Sequence, residues 1–269
     1  MRYSQKSSIY SVSELTLTND RAEREFTIEE TILIERLRSF RVPAMVEEYK
    51  NQLQDPNSGL LSFEEMFTRI VNAEWFKRYN KKFNDKLKKA KLRFKDADLD
   101  ETIYDPARKL DTQSIELLSK CEWVEEGKNL LITGMSGSGK TYLSCALCIT
   151  ALRQLKDVGY IKASVLMREL ERARKKDTYT EYLEEKLALD LLVIDDFGLM
   201  ELDLDKCRDL FEVIDGRDGR RSTIIVSQVP ISKWYDMFTN ATYAEACLSR
   251  ITDKKHAYRL EMNGRSMRG

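Results

Sequence analysis

Histidine is nearly absent from this chain, which holds only His256. The five cysteines, at positions 121, 145, 148, 207 and 247, are scattered and odd in number, so neither a disulfide framework nor a zinc site is expected. Cys145 and Cys148 form a C-x-x-C, but it falls in the apolar run LSCALCITAL, where i and i+3 on a helix are two small buried side chains. Proline and glycine are scarce, at 4 and 11 of 269 residues. With 42% hydrophobic and 33% charged residues, that scarcity points to a helix-rich globular protein and away from disorder or an all-β fold. No apolar run reaches the roughly 18 residues of a membrane helix, and the first stretch of chain lacks a central apolar block. Neither a membrane span nor a secretory signal is expected, and the location expected is cytoplasmic. Charge of one sign is not in surplus either: 45 Lys and Arg balance 45 Asp and Glu, so a surface for a polyanion must be local.

The length allows two domains, each with a core of its own. Residues 1–27 show no sustained period and read as a polar tail. Between 28 and 95 apolar residues recur at helical spacing, as in Ile32, Ile34, Leu37 and Phe40; Pro43 breaks the first helix and DPNSG at 55–59 marks a loop. Ser62 and Glu65 stand three apart, as a capping box requires, and open a helix predicted to run to about Lys95. Its second half carries ten Lys or Arg between Lys77 and Lys95 against one acid, Asp85. Trp75, Tyr79, Phe83, Leu87, Ala90 and Phe94 form one stripe of that helix, predicted to pack on the other N-terminal helices. The cations Lys77, Arg78, Lys81, Lys82, Lys88, Lys89, Lys91 and Arg93 fall elsewhere and can neutralise phosphates of duplex DNA without reading sequence.

The acidic run DADLDETIYDPA reverses the sign of charge, and 96–108 reads as a linker. From 109 to 269 the pattern alternates. NLLITG, GYIKAS, LDLLVIDDFG, STIIVSQ and AYRLEM are strands, and segments such as GKTYLSCALCITALRQL and KCRDLFEVIDGR between them are helices. The class predicted is α/β, a five-stranded parallel sheet flanked by helices and preceded by a small α-helical domain. The run RELERARKK at 168–176 is a second candidate for DNA, its interspersed Glu residues making solvent-side ion pairs an equal reading.

The stretch GMSGSGKT, residues 134–141, sits between an apolar strand and an amphipathic helix, the context in which a phosphate-binding loop works. Gly134, Met135, Ser136, Gly137, Ser138 and Gly139 would turn successive backbone N–H groups onto phosphate oxygens, and the helix opened by Lys140, Thr141 and Tyr142 adds its positive end. Lys140 would reach the β and γ phosphates of ATP and the Thr141 hydroxyl would hold Mg2+. LLVIDD is the matching second element: a buried strand delivering Asp195 to the metal and Asp196 to the attacking water.

These elements, followed by RRSTIIVSQVPISKWYDMF and LSRITDKKHAYRLEMNGRSMRG, strongly resemble the IstB-like transposition helper ATPases, relatives of the DnaC helicase loaders in the AAA+ class. Upstream, LRSFRVPAMVEEY and NAEWFKRYNKKFNDKLKKAKLRF look like that family's helical N-terminal domain. The resemblance covers about residues 28–269 and implies an ATPase that assembles on duplex DNA, with ATP between subunits of a homo-oligomer. It further implies a partner transposase from the same insertion sequence, delivered or activated at target DNA. Carried over by position, Gln228 looks like sensor 1, Arg250 like the arginine finger and Arg268 like a sensor 2 arginine. The plainer reading of Arg250 is an ion pair with Asp253. The chain departs from the AAA+ pattern at Asp196, where Glu is common. A DnaC-like helicase loader is the alternative within the class, and a small-molecule P-loop kinase or a module using ATP only as glue are alternatives outside it.

Overall fold

The computed structural model describes residues 25–102 and 110–262, and the chain divides into two compact units between Arg78 and Tyr79. In the first, helix α1 (Ile28–Ser39) opens on a capping box in which Thr27 and Glu30 satisfy each other's backbone N–H groups. Pro43 ends the connection after α1 and also starts α2 (Pro43–Gln54), since a proline at the first helical position gives up an N–H that would have no partner there. The expected capping box opens α3 (Phe63–Ala90): the Ser62 N–H donates to Glu65 Oε2 at 2.9 Å, and the Glu65 N–H to Ser62 Oγ at 3.2 Å. Within this unit Glu74 accepts from the Ala44 N–H at 2.9 Å and from Arg78 Nε at 2.7 Å, tying α2 to α3.

Helix α3 stops five residues before the predicted Lys95, where Lys91 turns left-handed at φ 54°. The aromatic stripe expected to pack on the N-terminal helices is split. Trp75 is 55% exposed, whereas Ala90 belongs to the core of the second unit and Phe83, Leu87 and Phe94 pack against that core. Tyr79 donates to the Arg153 carbonyl at 2.6 Å, and Lys86 pairs with Asp157. The first part of the acidic stretch is held down as well. Leu92 and Ala97 are buried, and the Arg153 guanidinium, 2.8 Å from Asp98, holds that carboxyl below the usual carboxylate range.

The second unit is built on strands β1 (Asn129–Gly134), β2 (Val158–Lys162), β3 (Leu191–Phe197), β4 (Ser222–Ser227) and β5 (Ala257–Met262), all parallel, in the order β2-β3-β4-β1-β5. The predicted class is the observed one. Alternate residues serve opposite faces: Leu130, Ile132, Val193 and Val226 join one core, while Leu131, Ile194 and Ile225 join the other. Helices α4 (Thr112–Ser119), α5 (Glu122–Glu125) and α6 (Lys140–Arg153) cover the first face. The other face is covered by α7 (Ala163–Lys175), α8 (Tyr179–Ala188), α9 (Leu204–Arg217) and α10 (Ala241–Thr252). Cys145 and Cys148 are both buried in α6, as two small core side chains. Among the described residues no helix is long and apolar enough to cross a membrane.

One core feature was not foreseen. Arg217, at the end of α9, is 1% exposed. It donates to the Lys186 and Leu189 carbonyls at 2.6 and 2.9 Å, to the Ser222 carbonyl at 2.5 Å and to Thr223 Oγ1 at 3.1 Å. Burial pushes its pKa down to about 9, which still leaves it charged at neutral pH. A lysine ammonium is a point donor and cannot span these four oxygens. Arg217→Lys is therefore expected to cost about 2–4 kcal/mol, read as a lower urea midpoint at unchanged slope. An unchanged midpoint would show that the clamp contributes nothing net.

Candidate nucleotide site

The site forms at the carboxyl ends of β1, β3 and β4, where an open parallel sheet leaves a crevice. β1 ends at Gly134, whose φ of 145° and position leave no room for a side chain: a Cβ there would lie 1.9 Å from the Met262 carbonyl oxygen. The loop then turns through Gly137 and Gly139 at φ 81° and 89°, left-handed values that glycine adopts without strain, and enters α6. Lys140 is 6% exposed, and its Nζ donates to the Gly134 and Met135 carbonyls at 2.7 and 2.6 Å and contacts Ser138 Oγ at 3.4 Å. The ammonium thus sits under the loop on oxygens that phosphate oxygens can replace.

Asp195 is 1% exposed and fully engaged. Its Oδ2 accepts from Thr141 Oγ1 at 3.0 Å and from the Tyr160 hydroxyl at 2.5 Å, and its Oδ1 accepts from the Asp196 N–H at 2.7 Å. Burial, and then the Asp195 carboxylate, push the Tyr160 phenol well above its ordinary range. Asp196 adopts φ 57°, rare for a residue with a side chain, at the place where the register of β3 against β4 shifts. Its carboxylate forms an ion pair with Lys162 at 2.7 Å.

A cavity of about 460 Å³, within the size range of small-molecule sites, is lined by Ser136, Gly137, Gly139, Lys140, Thr141, Tyr142, Asp195, Asp196 and Gln228 among others. Gln228 follows β4, and β4 lies between β1 and β3, so the strand order brings the amide between the loop and the acidic pair. Gly134, Met135 and Ser138 belong to the same loop; Met135 is exposed and Ser138 is buried. The Thr141 hydroxyl and Asp195 carboxylate are adjacent hard oxygen donors. They fit Mg2+, which takes one or two protein oxygens and completes its shell with phosphate and water.

Other expected residues lie apart. Arg250 does not line this cavity and does not pair with Asp253. Its guanidinium meets Asp215 at 2.7 Å, donates to the Ala246 carbonyl at 2.8 Å and lies 5.1 Å from the centre of the Phe211 ring. Arg268 lies outside the described residues. The proposed DNA cations Lys77, Arg78, Lys81, Lys82, Lys88, Lys89, Lys91 and Arg93 are all exposed, but two have other partners. Arg78 is bonded to Glu74 and to the Arg41 carbonyl, and Arg93 lines the nucleotide cavity. In the 168–176 run, Arg172 pairs with Glu169, Lys175 with Glu171 and Arg174 with Asp209, which favours the ion-pair reading there.

Sequence reasoning missed Tyr160 and Lys162, and the cavity residues Arg93, Phe94, Glu101 and Thr102. A signal for the first two existed: polar side chains at the carboxyl end of a strand whose sheet carries its site at that end, with Lys162 in register with Asp195. Nothing in the pattern announced the others.

A family model described as "IstB-like ATP binding protein" matches residues 35–269. An insertion-sequence ATP-binding protein of Sinorhizobium fredii is similar at 33% identity over 232 residues, covering 86% of this chain and 92% of that protein. The ATP-binding protein of insertion sequence IS1162 from Pseudomonas fluorescens is 34% identical over 199 residues, covering 74% of this chain and 86% of its own. Among solved structures, the DnaC helicase loader is similar in fold, with a TM-score of 0.52 at 19% identity over 62% of this chain and 97% of that one.

Proposed function

The chain belongs to the IstB-like ATP-binding protein family, and from that premise we propose that it is an ATPase that assembles on duplex DNA and serves transposition, delivering or activating a transposase there. The observation that carries the reading is the convergence of Lys140, Thr141, Asp195, Asp196 and Gln228 on one cavity. Lys140 exchanges its loop carbonyls for β and γ phosphate oxygens. Thr141 and Asp195 hold Mg2+, which when bound neutralises charge shared by those phosphates. Asp196 orients the attacking water once Lys162 gives it up, and Gln228 meets the γ phosphate or that water. Arg250 acts on the ATP of a neighbouring subunit, so the oligomer completes each site. Arg268 is proposed as a further ligand of the phosphates.

The domain reading goes with this function. As functional regions, residues 28–95 are assigned to DNA binding, 96–108 to the connection and 109–269 to ATP hydrolysis, with the 1–27 stretch outside both; the DNA-binding region runs across the structural division between Arg78 and Tyr79. The exposed lysines of α3 bind DNA through counterion release. A transposase is preferred over a replicative helicase as partner because the similar proteins are named for insertion sequences, whereas the likeness to DnaC is one of fold. Charge reversal of Lys81, Lys82, Lys88 and Lys89 to Glu tests the surface. The log–log slope of DNA affinity against salt is expected to fall by about three to four, roughly one for each phosphate no longer neutralised. An unchanged slope would place DNA elsewhere. Electron microscopy of the protein on duplex DNA tests the assembly: multimers with ATP and none without it support the reading, and ATP-independent particles contradict it.

A further inference from the structure

Asp195 is restrained from both of its oxygens. The Asp196 N–H holds Oδ1, while Thr141 Oγ1 and the Tyr160 hydroxyl both donate to Oδ2. Thr141 has other work as a proposed ligand of the metal. Tyr160 has none: it does not line the cavity, so no phosphate or metal in that space accounts for its hydroxyl.

Strand pairing explains how the hydroxyl arrives there. β2 runs beside β3 with Tyr160 in register with Val193 and Lys162 with Asp195. Paired residues, and residues two apart on a strand, share a face of the sheet, so Tyr160, Val193 and Asp195 all point to the side that α6 covers. The Tyr160 ring packs there against the core that includes Val193. That packing fixes the ring and leaves the hydroxyl 2.5 Å from Asp195 Oδ2. A phenylalanine ring would fill the same place, so the apolar contacts explain the ring and not the hydroxyl.

We propose that Tyr160 is a positioning residue for the metal, holding the Asp195 carboxylate in the orientation that Mg2+ can share with Thr141. The proposal rests on the reading of Thr141 and Asp195 as the metal ligands. A carboxylate that turns about its Cβ–Cγ bond aims its lone pairs in different directions, and Mg2+, which demands near-octahedral geometry, tolerates little of that. Thr141 cannot supply the restraint, because its bond to Oδ2 depends on what its own oxygen gives to the metal. The Asp196 N–H holds Oδ1 alone, and a single donor leaves the group free to pivot. Tyr160 removes that freedom from outside the ligand set. Donors placed behind metal ligands in this way are typically worth roughly tenfold to a hundredfold in metal affinity.

Tyr160→Phe keeps the ring and removes the donor. The quantity to measure is the gain that Mg2+ gives to binding of an unhydrolysed ATP analogue, the calorimetric affinity with Mg2+ divided by that in EDTA. In Tyr160→Phe this gain is expected to fall about tenfold or more. Affinity in EDTA, which depends on the loop and Lys140, should not change, and this guards against a folding defect. The Mg2+ concentration for half-maximal turnover should rise by about the same factor, with the rate at saturating Mg2+ within a few-fold of the original. An undiminished gain from Mg2+ in Tyr160→Phe would overturn the proposal. An equal loss of affinity in EDTA would overturn it too, because it would make Tyr160 a support of the loop and not of the metal. If the unmodified protein binds the analogue in EDTA and gains nothing from Mg2+, the metal reading and the proposal fail together while the phosphate loop stands. If it binds the analogue under neither condition, the nucleotide reading itself fails and takes the proposal with it.

Discussion

Replacing Arg250 by alanine is expected to lower ATP turnover of the DNA-bound assembly about a thousandfold while leaving ATP affinity of the chain nearly unchanged, the behaviour of a guanidinium supplied in trans to the transferring phosphoryl group. In the structure Arg250 is engaged by Asp215, the Ala246 carbonyl and the Phe211 ring, so its use at a neighbour requires an exchange of partners. Magnitudes decide the direction. The Arg250 and Asp215 side chains are 30% and 48% exposed. A solvent-facing pair of that kind contributes about 1 kcal/mol or less. A thousandfold effect on turnover corresponds to about 4 kcal/mol at the transition state. Asp215 can therefore park Arg250 without preventing its release. Steady-state hydrolysis on duplex DNA, together with nucleotide titration, reads both parts. Full turnover in Arg250→Ala would remove the finger from the mechanism.

Lys140→Ala is expected to fail one step earlier. The ammonium is the fixed positive charge inside the loop, and without it the backbone N–H groups and helix end face the β and γ phosphates alone. Both ATP affinity and turnover should fall, with kcat/KM down at least about a hundredfold. The same change also removes a strut of the unliganded loop, because Lys140 bonds the Gly134 and Met135 carbonyls. Lys140→Arg, charged but too large for that place, should not restore turnover. Hydrolysis within a few-fold of the original in Lys140→Ala would contradict the role given to this residue.

Much of the fold was legible because its strands carry unbroken apolar runs bounded by turns. NLLITG, LLVIDD and STIIVS could hardly be anything but buried strands, and the loop after the first of them has a spacing that few other structures need. The sheet order was not legible, since parallel strands of similar composition carry no label for their neighbours. It is the order that sets Gln228 between Lys140 and Asp195. Lys162 read as part of an ordinary strand because its partner, Asp196, faces it only through the left-handed turn of the backbone at that residue. The helical period along α3 was right, but a period says which side is buried and not against what, so the packing of Phe83 and Leu87 on the core of the second unit was missed. Thr102 was invisible for a further reason: lining a cavity is a property of a residue's surroundings, and DETIY gives no hint of one.

Mixing the two inactive variants tests the central claim of an intersubunit site most directly. Arg250→Ala keeps Lys140, and Lys140→Ala keeps Arg250, so an interface with the first as nucleotide holder and the second as neighbour is complete. Hydrolysis on duplex DNA should return on mixing equal amounts, to about a quarter of the unmodified rate if subunits pair at random in a head-to-tail assembly. A mixture as inactive as its components would contradict that claim, because it would mean that no subunit completes the site of another.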